Sequence, residues 1–325
     1  MTAARSPAVV IAEHSFEDAE RVAGYFRGQC VIRFGDLTGP EAARAATAGA
    51  SAVVVTLQRL DRDVLAAFDP GVRVIGRAGV GLDSIDLTAV RDLGLTLVNQ
   101  PGYAATEVAS HAVSMMLALQ RKLIPADRYV RDGWCGDARL LPIKPLDELT
   151  VGLLGGGRIG AETARMLTPL IRRVLVYDPY AAAVPGPAVR AAHLDELLGG
   201  SDMLSVHVPL TPDTRGLIGR RELALLPAGA VVVNTARGGI LDEDALADLL
   251  IAGRLGGAGL DVFAAEPLPD TSRLRRTPNT ILTPHCAALS DRSAWRLASW
   301  TVTDVLAWLE TGAVVHGHVV ISGRR

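Results

Sequence analysis

The stretch Val151-Gly-Leu-Leu-Gly-Gly-Gly-Arg-Ile-Gly160 constrains this chain more than any other. Its glycines at 155, 157 and 160 follow an apolar, strand-like run and precede a helix-like run carrying Ala161, Ala164 and Leu167. A second apolar run, Val174–Tyr177, ends at Asp178. An acidic residue about 20 positions beyond the glycines completes the pattern of a strand–turn–helix–strand unit that takes a dinucleotide. Gly155 permits the tight turn, and Gly157 lets backbone N–H groups approach a pyrophosphate at the positive end of the helix. Gly160 allows the helix to pack closely on the strand. Asp178 would accept hydrogen bonds from the adenosine ribose and repel a 2′-phosphate. Pro179 and Tyr180 follow it, with no arginine, so NAD is expected over NADP. A chain with 33 glycines can match such a spacing by chance. The flanking strand, helix and acidic residue make it specific.

The rest of the chain has the same rhythm. Strands are expected at Val9–Ala12, Val31–Phe34, Ala52–Thr56, Val72–Gly76 and Thr96–Asn99, with helices at Glu17–Arg27, Glu41–Ala48, Asp61–Phe68 and Asp86–Leu93 between them. Such alternation predicts βαβ units and parallel sheets, an α/β fold. Pro101-Gly102 then interrupts the pattern, and an apolar-periodic helix runs from about Thr106 to Lys122. Residues 123–150 read as an irregular, extended arm. The βαβ pattern restarts with strands at Val151–Leu154, Val174–Tyr177, Met203–Val206, Val231–Asn234, Gly257–Leu260 and Thr280–Thr283. A last helix extends from Ser290 to about Leu309. At roughly 100–200 residues per domain, 325 residues favour two domains.

The balance of charge excludes several function classes. Formal net charge is −2 with no long basic run, so nothing recruits nucleic acid or an anionic membrane surface. No segment approaches the ~18 apolar residues of a membrane span. Cys30, Cys135 and Cys286 are sparse, odd in number and without metal-ligand spacing, which fits a reducing compartment and no metal. A cytoplasmic location is therefore expected.

Three later segments carry candidate chemistry: Val233-Asn-Thr-Ala-Arg-Gly-Gly-Ile-Leu-Asp242, Gly259-Leu-Asp-Val-Phe-Ala-Ala-Glu-Pro267 and Leu282-Thr-Pro-His-Cys286. Each puts polar residues where a strand should end, the edge at which open α/β sheets bind ligands. Arg237 offers a cation with a fork of donors, Glu266 a carboxylate and His285 a proton donor. With Gly76-Arg-Ala-Gly-Val-Gly-Leu-Asp83 and the glycine motif, in this order and spacing, the chain resembles the D-isomer-specific 2-hydroxyacid dehydrogenases over nearly its whole length.

That resemblance implies two doubly wound domains with the active site in the cleft. Residues 1–100 with 290–325 would form a flavodoxin-like substrate domain, and residues 101–289 a Rossmann-type NAD domain. The long helix and the arm, residues 103–150, would form a homodimer interface. It also implies that a small 2-oxo acid and its D-2-hydroxy acid are interconverted. His285 would supply the proton, Glu266 would hold its ring and favour the charged form, and Arg237 would bind the substrate carboxylate. Backbone N–H groups of Val80 and Gly81 would complete the carboxylate site. The cofactor would be lined by Arg158 and Ile159, by His207 and Pro209, by Thr235 and Ala236, and by Asp261 at the nicotinamide carboxamide. His14, His111, His193, His316 and His318 take no role, and Cys286, directly after His285, reads either as a buried, inert thiol or as a reactive one that bound NAD would protect.

Departures narrow the reading. Ser110 stands where the family usually carries Glu. The stretch after His285, with Ser290 and Ser293, is most similar to the C-terminal-binding-protein branch, although Ala288 replaces that branch's tryptophan. Glu266 where formate dehydrogenases have glutamine argues against formate, and uncharged Val80 argues against phosphite. No regulatory domain of the kind found in many phosphoglycerate dehydrogenases is expected. The competing class is a non-enzymatic, NAD(H)-sensing binding protein of the corepressor type, which keeps the same Arg, Glu and His.

Overall fold

The computed structural model describes residues 6–16, 18–135, 140 and 142–323. They form two compact units, one of Met1–Ala104 with Ser290–Arg325, the other of Ala105–Leu289.

The first unit is built on a six-stranded sheet. Its order across the sheet is His318–Ile321, Thr96–Asn99, Val74–Arg77, Ala52–Val55, Ala8–Ala12, Val31–Gly35. The five N-terminal strands are parallel, in the 2-1-3-4-5 order of flavodoxin-like sheets. Strand residues point alternately to opposite faces. Val10, Val53, Val55, Ile75 and Leu97 accordingly enter one buried core, and Val9, Ile11, Val54, Val74 and Val98 another. Helix Asp291–Thr311 lies on the second face: a Cβ on Gly76 would fall 2.7 Å from both Thr301 and Val305 methyls. The helix starts at Ser290, whose hydroxyl accepts the Ser293 N–H. Strand His318–Ile321, antiparallel to Thr96–Asn99, was not expected from the sequence. It is a short edge strand, tied down when buried Asp304 accepts the N–H groups of Val315, His316 and Gly317.

The second unit holds a seven-stranded, wholly parallel sheet. Its order is Thr280–Leu282, Gly257–Leu260, Val231–Asn234, Met203–Val206, Thr150–Leu154, Arg173–Tyr177, Val189–Arg190. Numbered within the unit, this contains the dinucleotide-binding order 3-2-1-4-5-6 with one strand added. Both faces are covered, as an all-parallel sheet requires. Leu154, Leu204, Val206 and Val232 face one core, and Val151, Leu153, Val176 and Val233 the other. Helix Ala105–Gln120 packs on the latter face, where Met115 and Leu119 cover Gly259.

The expected irregular arm over 123–150 is corrected in part. Residues Leu123–Arg131 form a helix, entered through Lys122 at φ 52°, and Leu146–Glu148 form a 3₁₀ turn. Pro125 is the third helical residue, where a missing N–H costs no intrahelical bond. Residues 136–139 and 141 of the same stretch lie outside the described residues. No helix of the described residues is long and apolar enough to cross a membrane.

Candidate active site

Each loop expected to carry chemistry in the second unit leaves the C-terminal edge of its parallel sheet. Gly155 follows strand Thr150–Leu154 at φ 104°, where a Cβ would strike the His207 carbonyl oxygen at 2.8 Å. A Cβ on Gly160 would lie 2.1 Å from the Gly155 carbonyl oxygen, so helix Arg158–Leu167 sits directly on the turn. Gly157 differs: nothing lies within 4 Å of its Cβ position. Gly157 is also the N-cap of that helix and supplies no side-chain cap, while Arg158 and Ile159 are its first two residues. Space is therefore open beside Gly157, at the positive end of the helix.

Asp178 ends the next strand and turns back onto the glycine loop, where its Oδ2 accepts the Gly156 N–H at 2.9 Å. The sequence reading put no arginine near it. The fold brings Arg190 there: its guanidinium donates to the Asp178 and Ala181 carbonyl oxygens at 3.1 and 2.7 Å. His207 gives its backbone N–H to the Leu154 carbonyl, while its Nε2 is shielded from solvent without a hydrogen-bond partner among the described residues. Burial pushes its pKa down to about 4, so the ring is neutral. Thr235 Oγ1 is likewise shielded and unpartnered. Pro209 is exposed, and its carbonyl accepts the Thr214 hydroxyl. An uncapped helix end, a glycine opening onto free space, an acidic residue at the next strand and two unpartnered polar atoms fit a dinucleotide. NAD is the cofactor these residues would hold.

Arg237 sits in a braced turn. Asn234 Oδ1 accepts the Ala236 N–H at 3.0 Å, and Asn234 Nδ2 donates to the Arg237 carbonyl at 2.8 Å. The Arg237 guanidinium donates to the Ala236 carbonyl and is half-buried. The next residue locks this turn to the loop carrying Glu266. A Cβ on Gly238 would fall 1.8 Å from the Phe263 carbonyl carbon and 2.2 Å from the Ala264 nitrogen.

His285 and Glu266, 19 residues apart, form a pair with Nδ1 2.8 Å from Oε2. A carboxylate in its ionised form can only accept, and the bond then carries its proton on Nδ1. Glu266 Oε1 accepts the Phe263 N–H at 2.9 Å, fixing the carboxylate plane. His285 has φ 54°, in the left-handed region. Asp261 holds that turn together: its carbonyl accepts the His285 N–H, Oδ1 accepts from Thr283 Oγ1 and the Cys286 N–H, and Oδ2 accepts the Ala287 N–H. The sequence assigned Asp261 only to the cofactor, and its part in shaping the histidine turn is legible only in the fold.

His111, given no role from sequence, places Nε2 3.1 Å from Thr283 Oγ1. Together, His111, Asp261 and Cys286 bring ligating atoms within 4.8 Å of one another, a proximity no sequence spacing shows. Burial, then the neighbouring Asp261, push the Cys286 thiol up, which disfavours the reactive thiolate.

In the first unit, the loop bearing Val80 and Gly81 is held from below. Arg77 is buried, its Nε donating to the Gly81 carbonyl at 2.9 Å and its Nη1 to the Ala78 carbonyl. Asn99 Nδ2 donates to the Val80 carbonyl at 2.9 Å, and the Gln100 N–H to the Gly79 carbonyl. Arg77 thus braces the loop from within. Arg59 is exposed.

Comparison with known proteins agrees with this geometry. Residues 113–287 match the model of the D-isomer specific 2-hydroxyacid dehydrogenase, NAD binding domain. The chain is 40% identical to a D-3-phosphoglycerate dehydrogenase of Archaeoglobus fulgidus over 258 residues, 78% of this chain and 49% of that protein. It is 38% identical to a hydroxypyruvate reductase of Thermotoga maritima over 239 residues, 73% of this chain and 77% of that protein. A solved NADPH-dependent glyoxylate/hydroxypyruvate reductase from Sinorhizobium meliloti superposes with a TM-score of 0.85 at 28% identity, covering 98% of this chain and 99% of that one. The chain spans about half the length of the phosphoglycerate dehydrogenase it matches. On the sequence match, the sheet order and the loops at the sheet edge, the chain belongs to the D-isomer specific 2-hydroxyacid dehydrogenase family.

Proposed function

We propose that this chain is an NAD-dependent oxidoreductase that interconverts a small 2-oxo acid and its D-2-hydroxy acid. The observation that carries the reading is the Glu266–His285 pair at 2.8 Å, on the two loops that leave neighbouring strands at the sheet edge. NAD, when bound, accepts or supplies the hydride. In the reducing direction, His285 gives the Nε2 proton to the carbonyl oxygen as charge builds there, and Glu266 keeps the ring oriented. Arg237 binds the carboxylate through paired donors and polarises the carbonyl. Val80 and Gly81 keep their assignment as N–H donors to a carboxylate, on a loop stiffened by Arg77 and Asn99. Two anchored groups leave hydride one face of the carbonyl, which supports a single enantiomer.

An unphosphorylated substrate is favoured, because Arg77, the buried cation of the substrate loop, is engaged with that loop's own carbonyls. A homodimer through 103–150 is supported by helix Leu123–Arg131, which buries none of its residues and exposes Leu123, Ile124 and Val130.

The test is NADH oxidation against glyoxylate, pyruvate, hydroxypyruvate and its 3-phosphate, with chiral chromatography of the product. Turnover to a D-product, reduced at least about 100-fold in His285→Asn with NADH binding retained, is expected. NADH binding without turnover of any 2-oxo acid would support the corepressor-type binding protein instead. An L-product would refute the stereochemical reasoning, and preference for the phosphorylated substrate would refute the pocket reasoning.

A further inference from the structure

Glu243 lies 23 residues before Glu266 in sequence and belongs to no motif, yet it reaches the loop that carries Glu266. It opens helix Glu243–Ile251, behind the N-cap Asp242, and its Oε1 accepts the Ala264 N–H at 2.6 Å. The preceding amide, Phe263 N–H, is taken by Glu266 Oε1 at 2.9 Å. Two carboxylates therefore hang from consecutive amides of one loop, and one of them is the partner of His285. The same two residues are pressed by Gly238, so the segment is clamped from the Arg237 turn and from the helix at once.

Glu243 is half-buried. Burial pushes its carboxyl up, the Ala264 N–H opposes this, and the charges of Asp244 and Glu266 add to the rise. A carboxylate kept in such surroundings beside a second carboxylate is unfavourable unless the bond it makes compensates. A helix whose N-cap is already supplied by Asp242 does not require it there for capping.

We propose that Glu243 is a positioning residue: its acceptor oxygen holds the Phe263–Glu266 loop so that the Glu266 carboxylate meets His285 Nδ1 in the orientation proton transfer needs. The inference rests on the proposed dehydrogenase reading. What matters is the acceptor atom. Glu243→Gln keeps an acceptor oxygen at the end of the same chain, whereas Glu243→Ala removes it, and both remove the charge that favours a helix N-terminus.

The experiment compares parent, Glu243→Gln and Glu243→Ala by steady-state turnover, NADH binding by fluorescence, and hydrogen exchange at the Ala264 amide. Glu243→Ala is expected to lose about 10- to 100-fold in kcat, with the KM for NADH unchanged and the Ala264 amide exposed to exchange. Glu243→Gln is expected to return kcat to within about threefold of the parent and to restore protection. Parental kcat in Glu243→Ala overturns the proposal. So does a folded Glu243→Gln no better than Glu243→Ala, since charge and not the acceptor would then matter. A parent without turnover is failure of the dehydrogenase reading instead. Exchange at Ala264 still tests the clamp in that case, and unchanged protection in Glu243→Ala overturns it.

Discussion

Adding one methyl group at Gly238 should separate the two loops on which the proposed chemistry depends. A Cβ there would lie 1.8 Å from the Phe263 carbonyl carbon and 2.2 Å from the Ala264 nitrogen. Non-bonded carbons rest about 3.5–4.0 Å apart, so the Arg237 turn and the Glu266 loop must part by roughly 1.7 Å or more. No side-chain rotation relieves this, because the obstructing atoms are backbone. Overpacking of this kind costs about 1–3 kcal/mol, and a unit of this size loses about 2–4 °C in Tm for each kcal/mol. Displacing a catalytic group by about 1 Å can lower a rate by about 100-fold. Gly238→Ala is therefore expected to fold with a modestly lower Tm and to lose about 100-fold in kcat, a loss far out of proportion to its stability. Calorimetry and NADH-oxidation kinetics on one preparation decide it. A folded variant with kcat within twofold of the parent would refute the claim that these loops are rigidly registered.

Gly157→Ala is the converse: with nothing within 4 Å of the new methyl, Tm should hold within about 2 °C while NADH binding weakens at least tenfold. Unchanged NADH affinity, measured by titration, would show that the helix end does not take the pyrophosphate. Asp178→Ala should lower kcat/KM for NADH and raise it for NADPH, because the negative charge is removed while Arg190, held by the Asp178 backbone carbonyl, stays at this position; a loss for both cofactors alike would count against selection by charge. His207 is neutral when folded, with its pKa depressed to about 4. Between its ordinary value near 6.5 and about 4, the unfolded chain takes up the proton and the folded chain does not. Stability should therefore be full above about pH 6.5 and fall by as much as about 3 kcal/mol as pH drops towards 4. Urea unfolding of the cofactor-free protein should show this slope flattened in His207→Asn, and an identical slope would exclude the ring as its source.

The sequence by itself determined the local chemistry of the backbone. Apolar periodicity located Thr96–Asn99, Met203–Val206, Val231–Asn234 and Gly257–Leu260 as strands, because a buried parallel strand is a continuous apolar run bounded by turn residues. The glycine spacing was legible because the Gly155 turn, at φ 104°, and the contact of Gly160 with the Gly155 carbonyl oxygen both lie within one short strand–turn–helix unit. Where a local signal is ambiguous the reading failed: the arm expected to be irregular holds helix Leu123–Arg131, with Pro125 in its first turn, and His318–Ile321 becomes a strand only because Thr96–Asn99 offers it an edge. The relations between side chains distant in sequence were decided by the fold. Strand order at the sheet edge brings His285 to Glu266, and Arg190 to Asp178, across 19 and 12 residues. It also hangs Glu243 and Glu266 from adjacent amides, and wraps the His285 turn around Asp261. Hydrogen bonds of this kind depend on where whole strands lie beside one another, and burial of both faces of the sheet, not the residues within the loops, sets that order.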